Sequence, residues 1–116
     1  MNDLPSKLRY DTSESEQWFS IEQDPQIEFF KTARNQHSKD PYRPIFHLSP
    51  PNHVMNDPNG ICQWNGYFHL FYQYRPKSRE DAVHWGHAIS KDCVFWQDLP
   101  LALYPDQEND CYSGQT

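Results

Sequence analysis

The sequence predicts an all-β chain: four consecutive antiparallel strands forming one blade of a β-propeller, the start of a second blade after them, and a short helix in front. Three observations carry this. Aromatic residues make up 16 % of the chain at a mean hydropathy of −0.97, which fits strands joined by polar turns, or a sugar-facing surface, better than packed helices. Asn65-Gly66, the strongest two-residue hairpin signal, separates two apolar runs and calls for a type I′ turn. Residues 67–74 alternate Tyr67, His69, Phe71 and Gln73 with Phe68, Leu70, Tyr72 and Tyr74, so both faces of that strand are bulky and both need cover. A small meander that is hydrophobic on both faces needs a neighbour on each side, which is the situation of a propeller blade.

Taken in order, residues 1–17 are polar and charged, a composition that reads as a loose tail. Asp24 can cap a helix, Pro25 suits its first position, and Ile27, Phe30 and Ala33 recur on one face, so a helix is expected over residues 25–35. A linker with two prolines follows, which divides the chain into a tail and helix over 1–41 and the main domain over 42–116. Within that domain residues 45–48 read as a strand, broken by Ser49-Pro50-Pro51-Asn52. The meander comprises residues 61–64, 67–74, 83–90 and 94–99, with a charged loop over 75–81 and a turn at Lys91-Asp92. Residues 111–114 would begin the innermost strand of the next blade, and Asp57 would lie at the start of the first blade's innermost strand.

Charge narrows the function. The net charge is −6, the pI is about 5.4 and there is no basic run, which speaks against nucleic acid or an anionic membrane as partner and suits a neutral, polar ligand. Cys62, Cys93 and Cys111 form neither a disulfide framework nor a zinc motif. The N-terminal residues lack an apolar signal-peptide core, no segment is long and apolar enough to span a bilayer, and no Asn-X-Ser/Thr string occurs. A cytoplasmic protein with reduced thiols is the expectation.

The chemistry centres on Met55-Asn56-Asp57-Pro58-Asn59-Gly60. Pro58 biases Asp57 toward an extended backbone and Asn59-Gly60 supplies turn residues, so the string alone reads first as a plain loop with Asx-turn hydrogen bonding. The six histidines do not read as a metal site: His84 and His87, three apart in a strand, point to opposite faces, and His47, His53 and His69 have no chelating spacing. Neither a metal nor a cofactor is expected. Glu80, Asp81, Asp106, Glu108 and Asp110 fall in loops, where carboxylates are mostly solvated.

Several strings in order resemble glycoside hydrolase family 32, the β-fructofuranosidases that include invertases, inulinases, levanases and sucrose-6-phosphate hydrolases. They are Tyr42-Arg43-Pro44, Pro50-Pro51, the string from Met55 to Gly60, Phe71-Tyr72-Gln73-Tyr74, Trp85-Gly86-His87-Ala88, Leu99-Pro100, Ala102-Leu103-Tyr104-Pro105-Asp106 and Tyr112-Ser113-Gly114. The resemblance spans residues 42–116, and the preceding helix resembles the lead-in of the intracellular sucrose-6-phosphate hydrolases.

The resemblance implies a five-bladed propeller followed by a β-sandwich, with retaining cleavage of terminal β-fructofuranosides such as sucrose, sucrose 6-phosphate or short fructans. It makes Asp57 the nucleophile and Asn56, Asn59, Gln73, Tyr112 and Ser113 contacts of the fructosyl group. Trp85 is either a wall of the pocket or a packing residue between blades. A retaining mechanism also needs a second carboxyl roughly 5 Å away. The family's Glu-Cys and Arg-Asp-Pro strings, which supply that acid/base and a sugar-binding aspartate, do not occur here, so the chain resembles an N-terminal piece: the first blade and the start of a second. Fructosyl transfer on the same fold, or an inactive carbohydrate-binding fragment, are the alternatives. Three departures bear on substrate choice: Val54 stands where tryptophan is usual, Glu80-Asp81 where many members carry tryptophan, and Gln115-Thr116 follow Gly114 where serine is usual.

Overall fold

The computed structural model describes residues 4–10, 13–106 and 109–116. Its elements are helices α1 (Glu14–Glu22) and α2 (Pro25–Gln36), then strands β1 (Val54–Trp64), β2 (Tyr67–Arg75), β3 (His84–Ser90) and β4 (Gln97–Leu103). The four strands form one antiparallel sheet in the order β1-β2-β3-β4. Asn65 and Gly66 turn β1 into β2 with φ of +49° and +79°, the doubly positive pattern of a type I′ hairpin.

The two sheet faces are covered to different degrees. On one face Tyr72, Tyr74, Ala88 and Leu101 bury against Phe30 of α2. α2 starts where Asp24 accepts a 2.9 Å bond from the Gln26 amide, and it buries Ile27, Phe30 and Ala33. Its far end is held by Arg34, whose guanidinium donates two bonds, 2.5 and 2.7 Å, to the Asp98 carboxylate of β4. Tyr72 lies directly across from Gly86, and a Cβ on Gly86 would come within 2.3 Å of the Tyr72 ring, so this register requires glycine. The other face carries Phe71, Trp85, His69 and His87, with Phe71 stacked on His87 at 4.2 Å. Part of that face is approached by α1, where Trp18 meets Tyr67 at 5.7 Å.

The N-terminal region departs from the loose tail expected over residues 1–17. Residues 14–22 form α1, and the segment before it is held at Pro5, Lys7, Leu8 and Tyr10; positions 1–3, 11 and 12 lie outside the described residues. Buried Asp24 accepts from the Leu8 amide at 2.8 Å and from the Tyr10 hydroxyl. Gln26, fully buried, donates to the Pro5 carbonyl and the Tyr104 hydroxyl and accepts the Leu101 amide. Lys7 donates to the Leu101 carbonyl at 2.8 Å and lies over the Tyr104 ring. Composition predicts disorder because few apolar groups are available; here specific polar pairing to α2 and β4 supplies the order.

Two strands also shift. Residues 45–48 form no strand; Ile45 is 90 % exposed, and the segment lies between Pro44 and Pro50, neither of which can donate to a ladder. The fourth strand begins at Gln97, not residue 94, because the Asp92 carboxylate accepts the Val94 and Phe95 amides at 2.9 Å each and takes them out of any ladder. Residues 111–114 form no strand; one parallel bridge joins Asp110 to Val83, and the Cys111 amide donates to the Val83 carbonyl at 2.8 Å.

Candidate functional site

Asp57 lies inside β1, which runs from Val54 through the whole string that reads as a turn in sequence. The β1–β2 register slips between Met55 and Pro58 and again between Asn59 and Cys62, so Asp57 and its neighbours occupy a doubly bulged stretch. Bulges accommodate Pro58, which has no amide to give, and they re-aim side chains away from the plain alternation. β1 is an edge strand of this sheet, the other place where proline is tolerated.

The exposed Asp57 carboxylate accepts a 2.8 Å bond from Ser113 through Oδ2. Ser113 in turn accepts from Nε2 of Gln73 at 3.0 Å. Residues 57, 73 and 113, separated by up to 56 positions, therefore form one chain of hydrogen bonds. The far segment is held by Trp85, 7 % exposed, whose indole N–H is shared between the Cys111 and Tyr112 carbonyls at 3.2 and 3.1 Å. Asp110 supports the same segment, accepting the Val83 amide at 2.9 Å, and Thr116 donates to the Gly60 carbonyl at 3.2 Å.

The remaining candidates fall around this chain. Asn59 is 5 % exposed and its Nδ2 is buried with no protein partner among the described residues. Asn56 is exposed, and Tyr112 is 76 % exposed, with its hydroxyl donating weakly to Asp110 at 3.5 Å. Trp85 packs at 5.9 Å on Phe71 and against Gly114. Of the loop carboxylates, Glu80 and Asp81 are exposed, and Glu108 lies outside the described residues.

Sequence reasoning missed the histidine pair on the same face of the sheet. His69 Nδ1 and His87 Nε2 are hydrogen-bonded at 3.0 Å, the tautomer deciding which one donates, and burial first, then His69 and Lys7, pull the His87 pKa down to about 3. Cross-strand neighbours two apart in register are the signal that could have found them, had the 67–74 and 83–90 runs been paired. Both rings line a hollow of about 320 Å³ with Lys7, Trp18 and Trp64. That hollow includes none of Asp57, Gln73 and Ser113. No cluster of three or more metal-ligating side chains occurs among the described residues.

The comparisons agree on one family. The N-terminal domain of glycosyl hydrolases family 32 matches residues 47–116. A levanase of Bacillus subtilis (strain 168) is 47 % identical over 83 residues, 71 % of this chain and 12 % of the levanase. A sucrose:sucrose 1-fructosyltransferase of Festuca arundinacea is 54 % identical over 63 residues, 53 % of this chain and 10 % of the transferase. Among solved structures, fructan 1-exohydrolase IIa from Cichorium intybus superposes with a TM-score of 0.61 at 44 % identity, over 66 % of this chain and 15 % of that one. The chain thus spans between a tenth and a sixth of the length of these relatives. With more than half its residues inside the matched domain, the chain belongs to glycosyl hydrolases family 32.

Proposed function

We propose that this chain is the N-terminal part of a retaining β-fructofuranosidase whose nucleophile is Asp57, acting on sucrose, sucrose 6-phosphate or a short fructan. The observation that carries the reading is the bonding of Asp57: Ser113 holds Oδ2, and Oδ1 has no protein partner among the described residues. An oxygen so presented attacks the anomeric carbon of the fructosyl group as the bond to the leaving oxygen breaks. The proton for that oxygen comes from a second carboxyl, which the family carries beyond the strings present here. Water then attacks the fructosyl–Asp57 ester, gives its proton to the same carboxyl and releases fructose.

Asn59 is proposed as a fructosyl contact on the resemblance; its Nδ2 is buried and has no protein partner among the described residues. Asn56 and Tyr112 complete the fructosyl contacts, and Trp85 acts chiefly by seating the 111–114 segment. In this reading β1–β4 are the first of five blades and residues 111–114 lead into the second. A cytoplasmic setting, where the free thiols of Cys62, Cys93 and Cys111 stay reduced, belongs to the same proposal. The test is Asp57→Asn in the full-length enzyme with sucrose: fructose release is expected to fall more than about a thousandfold. Near-unchanged release overturns the assignment.

Fructosyl transfer is the second reading, favoured by the Festuca arundinacea relative. Product analysis at high sucrose separates the two, since transfer adds trisaccharide and hydrolysis gives only glucose and fructose.

A further inference from the structure

We propose that Ser113 is a positioning residue for Asp57 and that Gln73 acts through it, a relay that rests on Asp57 being the nucleophile. Proton directions along the chain are fixed by chemistry. The Nε2 of Gln73 can only donate, so at 3.0 Å the Ser113 oxygen is its acceptor. A hydroxyl has one proton, and at 2.8 Å from Oδ2 that proton goes to Asp57, which as an ionised nucleophile only accepts. Amide to hydroxyl to carboxylate is therefore the one consistent arrangement, and each donor polarises the next.

The consequence is a choice between the two carboxylate oxygens. Oδ2 is engaged in a charge-assisted bond and Oδ1 is left as the attacking atom, so the carboxylate plane is set before sugar arrives. The support for Ser113 is independent of any ligand. Its segment is pinned by the Trp85 indole to two consecutive carbonyls, by Cys111 to Val83, and by Thr116 to Gly60. Gln73 faces Trp85 across the β2–β3 ladder, so the amide and the indole that hold Ser113 come from paired positions. A bare crossing of surface side chains would lack that scaffold.

A double-mutant cycle in the full-length enzyme, with sucrose as probe, tests the relay. Ser113→Ala is expected to lower kcat roughly ten- to a hundredfold, the range for one hydrogen bond to a charged group, with a smaller change in KM. Gln73→Ala alone lowers kcat by less, and in the Ser113→Ala background it lowers kcat by under about twofold, because its route to Asp57 is gone. Ser113→Thr, which keeps the hydroxyl, restores most of kcat. Losses in kcat that multiply in the double variant make Gln73 and Ser113 independent groups and overturn the relay, as does a Ser113→Ala effect confined to KM. The family reading fails separately: only an active Asp57→Asn enzyme removes the nucleophile itself.

Discussion

Gln26 is a neutral polar side chain with no exposure, and it joins three parts of the chain that are far apart in sequence. Its Oε1 accepts the Leu101 amide at 2.9 Å across 75 positions, and its Nε2 donates to the Pro5 carbonyl at 2.7 Å and to Tyr104. Gln26→Leu keeps the volume and helix propensity but removes every one of these bonds. The Leu101 amide lies in the bulged part of β4, where the β3–β4 register slips between Trp85 and His87, and Gln26 Oε1 takes the place of a ladder acceptor for it. Leaving such a donor buried and unpaired costs about 1–3 kcal/mol, and the two lost donor bonds add about 1 kcal/mol each. Against this, the apolar side chain returns about 1–2 kcal/mol by burial. The net destabilisation is therefore about 1–4 kcal/mol, which at a urea m-value near 2 kcal/mol/M moves the midpoint down by about 0.5–2 M. Urea unfolding of the full-length protein measures the shift, and hydrogen exchange at the Leu101 amide localises it. A midpoint within about 0.2 M of wild type, or an unchanged Leu101 exchange rate, would refute the idea that this amide fastens β4 and the N-terminal segment to α2.

Two further outcomes follow from the same packing. Gly86→Ala forces a Cβ to within 2.3 Å of the Tyr72 ring, so the ring or the β2–β3 ladder must move; a loss of about 2–4 kcal/mol in urea unfolding is expected, and a loss under about 0.5 kcal/mol would disprove the contact. His87, lowered from its ordinary 6.5 to about 3 mainly by burial, stays neutral in the fold while the unfolded chain takes up a proton. Its contribution is thus present above about pH 6.5 and lost as pH falls toward 3, amounting to about 1–2 kcal/mol between pH 6.5 and 5 after allowing for the ring's partial exposure. His87→Phe should flatten the stability profile in that window, and an unchanged slope would show that the ring is not shielded.

Strand pairing was legible where the sequence carries a local signal. Asn65-Gly66 fixes the β1–β2 turn, and the alternation of residues 67–74 gives two faces, of which α2 covers one and α1 approaches only part of the other. Legibility ended where a side chain does the work of a backbone. Asp92 takes the Val94 and Phe95 amides and delays β4, which a propensity count cannot register. The N-terminal segment failed for the same reason: Lys7, Leu8 and Tyr10 look solvated by composition, and only partners more than ten positions away, Asp24 and Leu101, hold them. In the site, Asp57 stood out through its neighbours, whereas the Ser113 contact depends on a segment 56 positions on and on the Trp85 indole that seats it.

The bulges of β1 connect these two levels. A regular strand through residues 54–64 would need an amide from residue 58 and would alternate Asp57 strictly between faces. Proline removes the amide, and two register slips absorb the mismatch without breaking the hairpin that Asn65-Gly66 closes. The slips bring Asp57 to the oxygen of Ser113, and the same stretch keeps Asn59 buried with a free donor. Val54 shows what the string leaves variable: it pairs with Arg75 at the head of β1 through its backbone while its side chain is 44 % exposed, so a different side chain there, such as the tryptophan the resemblance expects, leaves that pairing intact. Under the proposed function, a change at Val54 leaves in place the features that set the Asp57 carboxylate, namely Pro58, the bulges and the hairpin.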